Sequence, residues 1–183
     1  MESAARRDAG FRSPEAPDEA TQRRFRDAMG LFPTGVTLLT SRGTDGVDRA
    51  ITANSFTSVS LDPLLVLVGV EHASRLHDAV LGSGLWGVSL LPRDMEQVSR
   101  RFAGRGHRVA EGLAGVPHGR GPETGALLLE GALATLECRT RTVVPAGDHT
   151  VLIGDVLAVG VGDREAPPLV WHRGRYRDID ARS

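Results

Sequence analysis

Apolar positions along the chain recur at two periods, and the switches between them mark out the elements. Phe25, Ala28, Met29 and Leu31 keep helical spacing, which predicts a short helix over 21–31 with Thr21 as its cap. Phe32-Pro33-Thr34-Gly35 stops it. The β-branched run Val36-Thr37-Leu38-Leu39-Thr40 then reads as a strand, turning at Gly43-Thr44-Asp45-Gly46 into an extended segment over 50–54. The continuous apolar run over 64–70 predicts a central buried strand. A helix over 74–81 capped by Ser74 follows, then a strand over 85–91, then a helix capped by Asp94 with Met95, Val98 and Phe102 on its buried face. Gly104 and Gly106 end that helix, and from there to Gly125 the richness in Gly, Arg, His and Pro predicts an ordered but irregular lid. Strands return over 132–144, 150–161, 169–171 and 176–179. Strands outnumber helices and no regular βαβ alternation appears, so the expected fold is mainly β, a small antiparallel barrel with a few peripheral helices. Residues 1–20 lack apolar periodicity and read as a flexible arm, leaving 21–180 as one domain.

Composition narrows the chemistry. At 183 residues with a net charge of -1 and 40% hydrophobic residues, the chain is an ordinary globular domain. All 22 basic residues are arginine, so a lysine Schiff base and a lysine phosphate clamp are both excluded. Near-neutral charge, with only five Phe, two Trp and one Tyr, offers neither the electrostatics nor the stacking surface of a nucleic-acid binder. No apolar run is long enough to span a bilayer and no hydrophobic signal region opens the chain, which points to a cytoplasmic protein away from membranes. Cys138 is the lone cysteine and reads as a buried filler. His72, His77, His107, His118 and His172 have no metal-like spacing and read as surface or packing residues, so no metal is implied.

The densest polar stretch is Thr52-Ala53-Asn54-Ser55-Phe56-Thr57-Ser58-Val59-Ser60, with six hydroxyl or amide side chains in nine positions between two strands. Neutral hydroxyls and turn N–H groups can cradle a phosphate or the polar edge of a planar heterocycle without lysine, and small Ala53 permits close backbone approach. By composition alone, a Ser/Thr-rich turn that bonds its own backbone accounts for it better. Ser74 with Arg75 at a helix start is either a phosphate site or an ordinary cap beside a solvated arginine, and composition does not separate the two.

Taken with its flanks, this run carries a resemblance. Phe32-Pro33-Thr34-Gly35-Val36-Thr37, the stretch from Thr52 to Pro63, Gly147-Asp148-His149-Thr150 and Arg173-Gly174-Arg175-Tyr176 stand in the order seen in short-chain NAD(P)H:flavin oxidoreductases. The chain is similar to that flavin reductase-like family over roughly 25–178. The resemblance implies the FMN-binding split β-barrel, antiparallel and Greek-key-like. It also implies a homodimeric reductase that passes hydride from NADH or NADPH to FMN or FAD and supplies reduced flavin to a partner monooxygenase.

By the same resemblance, Thr34, Thr52, Ala53, Asn54, Ser55, Ser58 and Ser60 are flavin contacts, mostly through backbone groups. Ser74 and Arg75 meet the flavin phosphate, and Phe102 lies near the flavin, although its helical spacing also fits a core ring. His149 resembles the motif histidine that contacts nicotinamide; it is the catalytic candidate, expected to position the ring rather than move a proton, with Asp148 orienting it. Arg173 and Tyr176, near Trp171 and Arg175, combine charge and stacking surface suited to the mouth of an anionic cofactor site, against the alternative of an edge strand closing the barrel. A flavin-holding module without turnover is the rival function. An oxidase of the pyridoxamine-phosphate type on the same barrel would need more basic residues than the motifs display.

Overall fold

The computed structural model describes residues 16–104 and 108–179. In chain order the elements are α1 (Glu19–Gly30), β1 (Thr34–Gly35), β2 (Thr37–Arg42), β3 (Asp48–Ala53), β4 (Thr57–Leu61), β5 (Leu64–Glu71), α2 (Arg75–Ser83) and β6 (Leu85–Leu90). A 3-10 turn, Arg93–Met95, leads into α3 (Glu96–Phe102), followed by α4 (Val109–Gly112), β7 (His118–Arg120), β8 (Leu127–Leu129), β9 (Ala134–Ala146), β10 (His149–Val161), β11 (Val170–His172) and β12 (Arg175–Arg177).

Seven strands form one antiparallel sheet in the order β3-β2-β6-β9-β10-β5-β4. Leu39 and Ala53 at one end of this order share a buried cluster with Val66, Val68 and Val70 near the other, together with Trp86, Val88, Cys138 and Leu152. A flat sheet cannot bring its two ends onto one cluster, so the sheet curls on itself. Ser55, just beyond β3, joins the ends: its Oγ donates to the Gly69 carbonyl at 2.8 Å and accepts from the Gly69 N–H at 3.2 Å. Among the described residues β3 and β4 do not pair, which leaves the mainly β barrel split. Inside it, Trp86 lies so close over Gly154 that any Cβ there would meet its ring, and the β9–β10 register slips between Ile153 and Gly154. Cys138 belongs to the same core, and burial pushes its thiol up to about 12, so it packs as an inert small hydrophobe. A second cluster forms outside the curl, where Val98 and Phe102 of α3 meet Val109, Leu113, Leu127 and Leu129.

Several local expectations change. The first helix starts earlier than apolar spacing suggests, because the Asp18 carboxylate accepts from Thr21 N–H at 2.7 Å and is the true cap. Asp94 is not a cap: it sits inside the 3-10 turn that Pro92 opens. The apolar run 64–71 is not central. It is next to the edge strand, and Val66, Val68 and Val70 face the core while Leu64 and Glu71 are exposed. The hydroxyl-rich run is not one loop either, since Thr52 and Ala53 end β3 while Thr57, Ser58 and Ser60 belong to the edge strand β4.

The stretch before Gly125 is no lid over the described residues. Val109 and Leu113 plug it into the second core, and Gly112 sits so close under the Phe102 ring that a Cβ would collide. The β7–β8 ribbon is pinned from below. Thr40 Oγ1 donates to Leu127 O at 2.6 Å, Ser89 Oγ accepts from Leu129 N–H at 3.0 Å, and buried Glu137 accepts from the Glu123 and Thr124 N–H groups and the Thr124 hydroxyl. These buried polar partners lie on distant strands, so local composition carries no sign of them. Residues 1–15, Gly106 and His107 lie outside the described residues.

Candidate functional site

Where the end of β3, the end of β5, the start of α2 and the start of β10 converge, a cleft of about 520 Å³ opens. Thr52, Ala53, Asn54 and Ser55 form one wall, Ser74 and Arg75 another, and Phe102 with Ala103 and Gly104 a third, with His149 at the rim. Eight of the residues named by the sequence reading therefore come together from four separate segments. Gly69, Glu71 and Ala73 also line the cleft. Gly69 is the one of these with a signal in sequence, since glycine inside a strand often marks close approach. Here it receives Ser55.

A smaller annexe of about 220 Å³ shares Thr52, Asn54 and Ala103 with the cleft and adds Val36, Trp171 and Tyr176. The two rings meet edge to face, 4.9 Å between centroids, and the Arg100 guanidinium lies 4.7 Å over the Tyr176 ring. Ser99, fully buried, couples annexe to cleft: its hydroxyl pairs with the Tyr176 hydroxyl at 2.8 Å, and its carbonyl accepts from Thr52 Oγ1 at 2.7 Å. Sequence reading missed Ser99 because a polar residue on a helix's apolar face declares itself only when its partners are known.

His149 owes its place to the turn before it. Gly147 and Asp148 link β9 and β10 as a two-residue hairpin, and Gly147 takes a φ of +65°, a conformation that glycine tolerates and other residues resist. His149 is thus the first residue of β10, opposite Glu71 of β5. Its Nδ1 lies 2.7 Å from the Asp148 carboxylate, and this bond holds the Asp148 carboxyl below its ordinary range. An ionised carboxylate only accepts, so Nδ1 carries a proton and Nε2 is the ring atom left for a ligand. Ser74 caps α2, its Oγ accepting from Leu76 N–H at 3.1 Å. Arg75 is the sole guanidinium lining the cleft among the described residues.

Four named residues line neither hollow within one chain. Thr34 pairs with Trp171 in the small β1-β11-β12 sheet, and its buried Oγ1 finds no hydrogen-bond partner among the described residues. Ser58 and Ser60 sit on β4, and Ser60 Oγ accepts from Asp62 N–H at 3.2 Å. Arg173 and Gly174 form the tight turn between β11 and β12, with φ of +52° and +71°, the two-residue geometry that follows the strand twist. That turn sets the Arg173 backbone against the end of α1, its N–H donating to the Gly30 carbonyl at 2.8 Å.

Residues 29–180 match the flavin reductase like domain model. The chain belongs to that family. It is 37% identical over 172 residues to an NADH-dependent flavin reductase of a Rhodococcus species, covering 91% of each chain. It is 39% identical over 155 residues to the reductase component of 4-hydroxyphenylacetate 3-monooxygenase from Thermus thermophilus, covering 85% of this chain and 95% of that one. Among solved structures it resembles BorF, the flavin reductase component of a bacterial two-component tryptophan halogenase, with a TM-score of 0.81, 40% identity, and coverage of 88% and 99% of the two chains. The NADH:FAD oxidoreductase SgcE6 of Streptomyces globisporus, solved with NAD and FAD fragments, gives a TM-score of 0.81 at 34% identity, covering 92% of this chain and all of that one (100%). Among the described residues, no helix is long and apolar enough to cross a membrane.

Proposed function

We infer that the chain is an NADH-dependent flavin reductase that reduces FMN or FAD and passes the reduced flavin to a separate monooxygenase. Membership in the family supports the reaction class, and one observation carries the assignment of the cleft. A histidine with a fixed tautomer stands at the rim of a cleft whose other walls offer hydroxyls, small residues and one guanidinium at a helix start. Bound together, the nicotinamide supplies hydride and the flavin accepts it. The residues of the chain bind and orient.

With the Thr52 and Ser55 hydroxyl protons committed to Ser99 O and Gly69 O, the Asn54 amide and backbone N–H groups of this wall would serve as neutral donors to the polar edge of the flavin ring, where negative charge would collect on reduction. Ser74 and Arg75 at the start of the nine-residue helix α2 hold its phosphate. His149 Nε2 positions the nicotinamide, with Asp148 fixing the ring. Tyr176 and Trp171 offer the annexe to a second planar group. With Arg75 engaged by flavin, no second cleft-lining guanidinium among the described residues remains for a 2′-phosphate, which favours NADH over NADPH.

The protein works as a cytoplasmic homodimer. Val59, Leu61 and Leu64 stand exposed around the β4–β5 turn, and Val159 and Val161 on the overhang of β10, apolar side chains that a second copy of the chain would cover. The deciding assay follows absorbance at 340 nm with NADH or NADPH and FMN, FAD or riboflavin under air. Wild type oxidises NADH only when flavin is present, and His149→Ala raises the KM for NADH about tenfold while kcat changes less. Flavin binding with no oxidation of either nucleotide would instead leave a flavin-holding module.

A further inference from the structure

Thr150, directly after His149, points to the opposite side of β10 and is buried at 4% exposure. Two imidazoles converge on its hydroxyl. His72 Nε2, from the turn after β5, lies 3.1 Å away, and His77 Nε2, from α2, lies 2.9 Å away; their ring centroids are 5.1 Å apart. His77 Nδ1 in turn meets the Asp78 carboxylate at 3.2 Å, and the His72 backbone N–H donates to the Asp148 carbonyl at 3.0 Å. These three segments carry the two sides of the cleft, with Ser74 and Arg75 on one and His149 on the other.

We propose that the Thr150 hydroxyl is a positioning group that holds the flavin-phosphate turn and the nicotinamide-contacting His149 at a fixed separation, and that it does so through a chain of hydrogen bonds that accepts one extra proton but not two. The proposal rests on reading the cleft as the flavin and nicotinamide site.

The proton count follows from donor and acceptor capacity. Asp78 accepts only, so His77 Nδ1 carries a proton. With both imidazoles neutral, His77 Nε2 accepts from the single Thr150 O–H, and His72 Nε2–H donates to a Thr150 lone pair. The Thr150 hydroxyl then donates once and accepts once. Protonating His77 reverses the link: its Nε2–H donates to Thr150, and the Thr150 O–H turns to a His72 whose proton has moved to Nδ1. Protonating His72 as well leaves both Nε2–H groups aimed at one oxygen, the Thr150 proton without an acceptor, and two cations 5.1 Å apart against the buried Thr150. The other titratable or charged groups on the packed elements are Glu71 at the end of β5, Arg75 and Asp78 on α2, Asp148 in the hairpin turn, His149 at the start of β10 and Asp155 six residues further along it. Neither Asp78 nor Asp148 gives the Thr150 O–H an acceptor once both imidazoles are protonated.

The test compares Thr150→Val, Thr150→Ser and His77→Gln across pH 5 to 8, the range in which imidazoles ordinarily change charge. For Thr150→Val, the flavin Kd and the NADH KM rise about fivefold to tenfold at pH 8 with kcat within about twofold, whereas Thr150→Ser stays within about twofold of wild type. Wild type loses affinity toward pH 5, and that acid limb flattens in His77→Gln. Hydrogen exchange speeds up together in 71–78 and 147–152 of Thr150→Val. Equal losses in the Ser and Val variants would mean that packing, not the hydroxyl, does the positioning and would overturn the proposal. So would an unaltered Kd, KM and exchange pattern in Thr150→Val, or an acid limb that persists in His77→Gln. If Thr150→Val does not fold, the Ser and Gln variants carry the same decision. Quenching of flavin fluorescence by wild type is measured first. Its absence would fail the cleft assignment and would overturn the link to cofactor affinity, while the exchange data separately judge whether Thr150 ties the two segments.

Discussion

The two halves of the hydroxyl-rich run, Thr52 to Ser55 and Thr57 to Ser60, have nearly the same composition and opposite situations. In the first half both hydroxyls have a partner on a distant element: Thr52 bonds Ser99 of α3 and Ser55 bonds Gly69 of β5. Those bonds fix the wall of the cleft. In the second half the residues lie on an edge strand, Thr57 Oγ1 reaches only its neighbour's carbonyl at 3.4 Å, and Leu61 is 87% exposed. Side-chain chemistry is therefore not what sets the two halves apart. Attachment to other elements is, because it holds the inner half in a fixed shape before any ligand arrives.

Substitutions can break or sharpen this contrast. The largest effect belongs to the outer half: Leu61→Arg places a charge in the proposed dimer face and weakens self-association about 30-fold or more, read by light scattering over a dilution series. A dimer of unchanged affinity would remove β4 from that face. In the inner half, Ser55→Val deprives the Gly69 N–H and carbonyl of their shared partner and raises the flavin Kd about tenfold, with a lower Tm. Replacing Ser58 and Ser60 together by alanine changes the flavin Kd by less than about twofold, since neither lines the cleft and such surface changes are usually worth under about 0.5 kcal/mol. A tenfold loss there would erase the distinction between the halves.

The smallest effect is electrostatic. Asp148 has its carboxyl held below its ordinary value of 3.8 by His149, so the pairing contributes stability above that value and loses it as pH falls through the lowered one. The Tm difference between wild type and Asp148→Asn accordingly shrinks toward zero on acidification below pH 3.8, and it is small throughout because the group is fully exposed.

Much of the site was legible in sequence because its pieces are local signals: a cap at Ser74, a two-residue turn before His149, a run of hydroxyls after a strand. Each says what a short segment does. Arg173 shows the limit: its charge beside aromatic residues suggested a cofactor contact, yet its position before Gly174 commits it to a tight turn whose backbone bonds the end of α1, and it lines neither hollow. The stretch before Gly125 misled in the same way. Its composition is that of a loop, but Glu137 of β9 supplies a buried partner to Glu123 and Thr124, and Val109 and Leu113 plug into the second core.

By itself the sequence determined the mainly β class, the order of most elements, the family motifs and the exclusion of lysine chemistry, because periodicity, turn residues and residue types act over a few neighbouring positions. Only the tertiary structure decided which hydroxyls line the cleft, that β5 lies near an edge, and that Ser99 and Thr150 connect separate parts of the cleft. Those facts depend on contacts between residues tens of positions apart, such as the 77 that separate Ser99 from Tyr176 and the 73 that separate His77 from Thr150. Such pairings are settled when the sheet curls and buried polar groups must find partners.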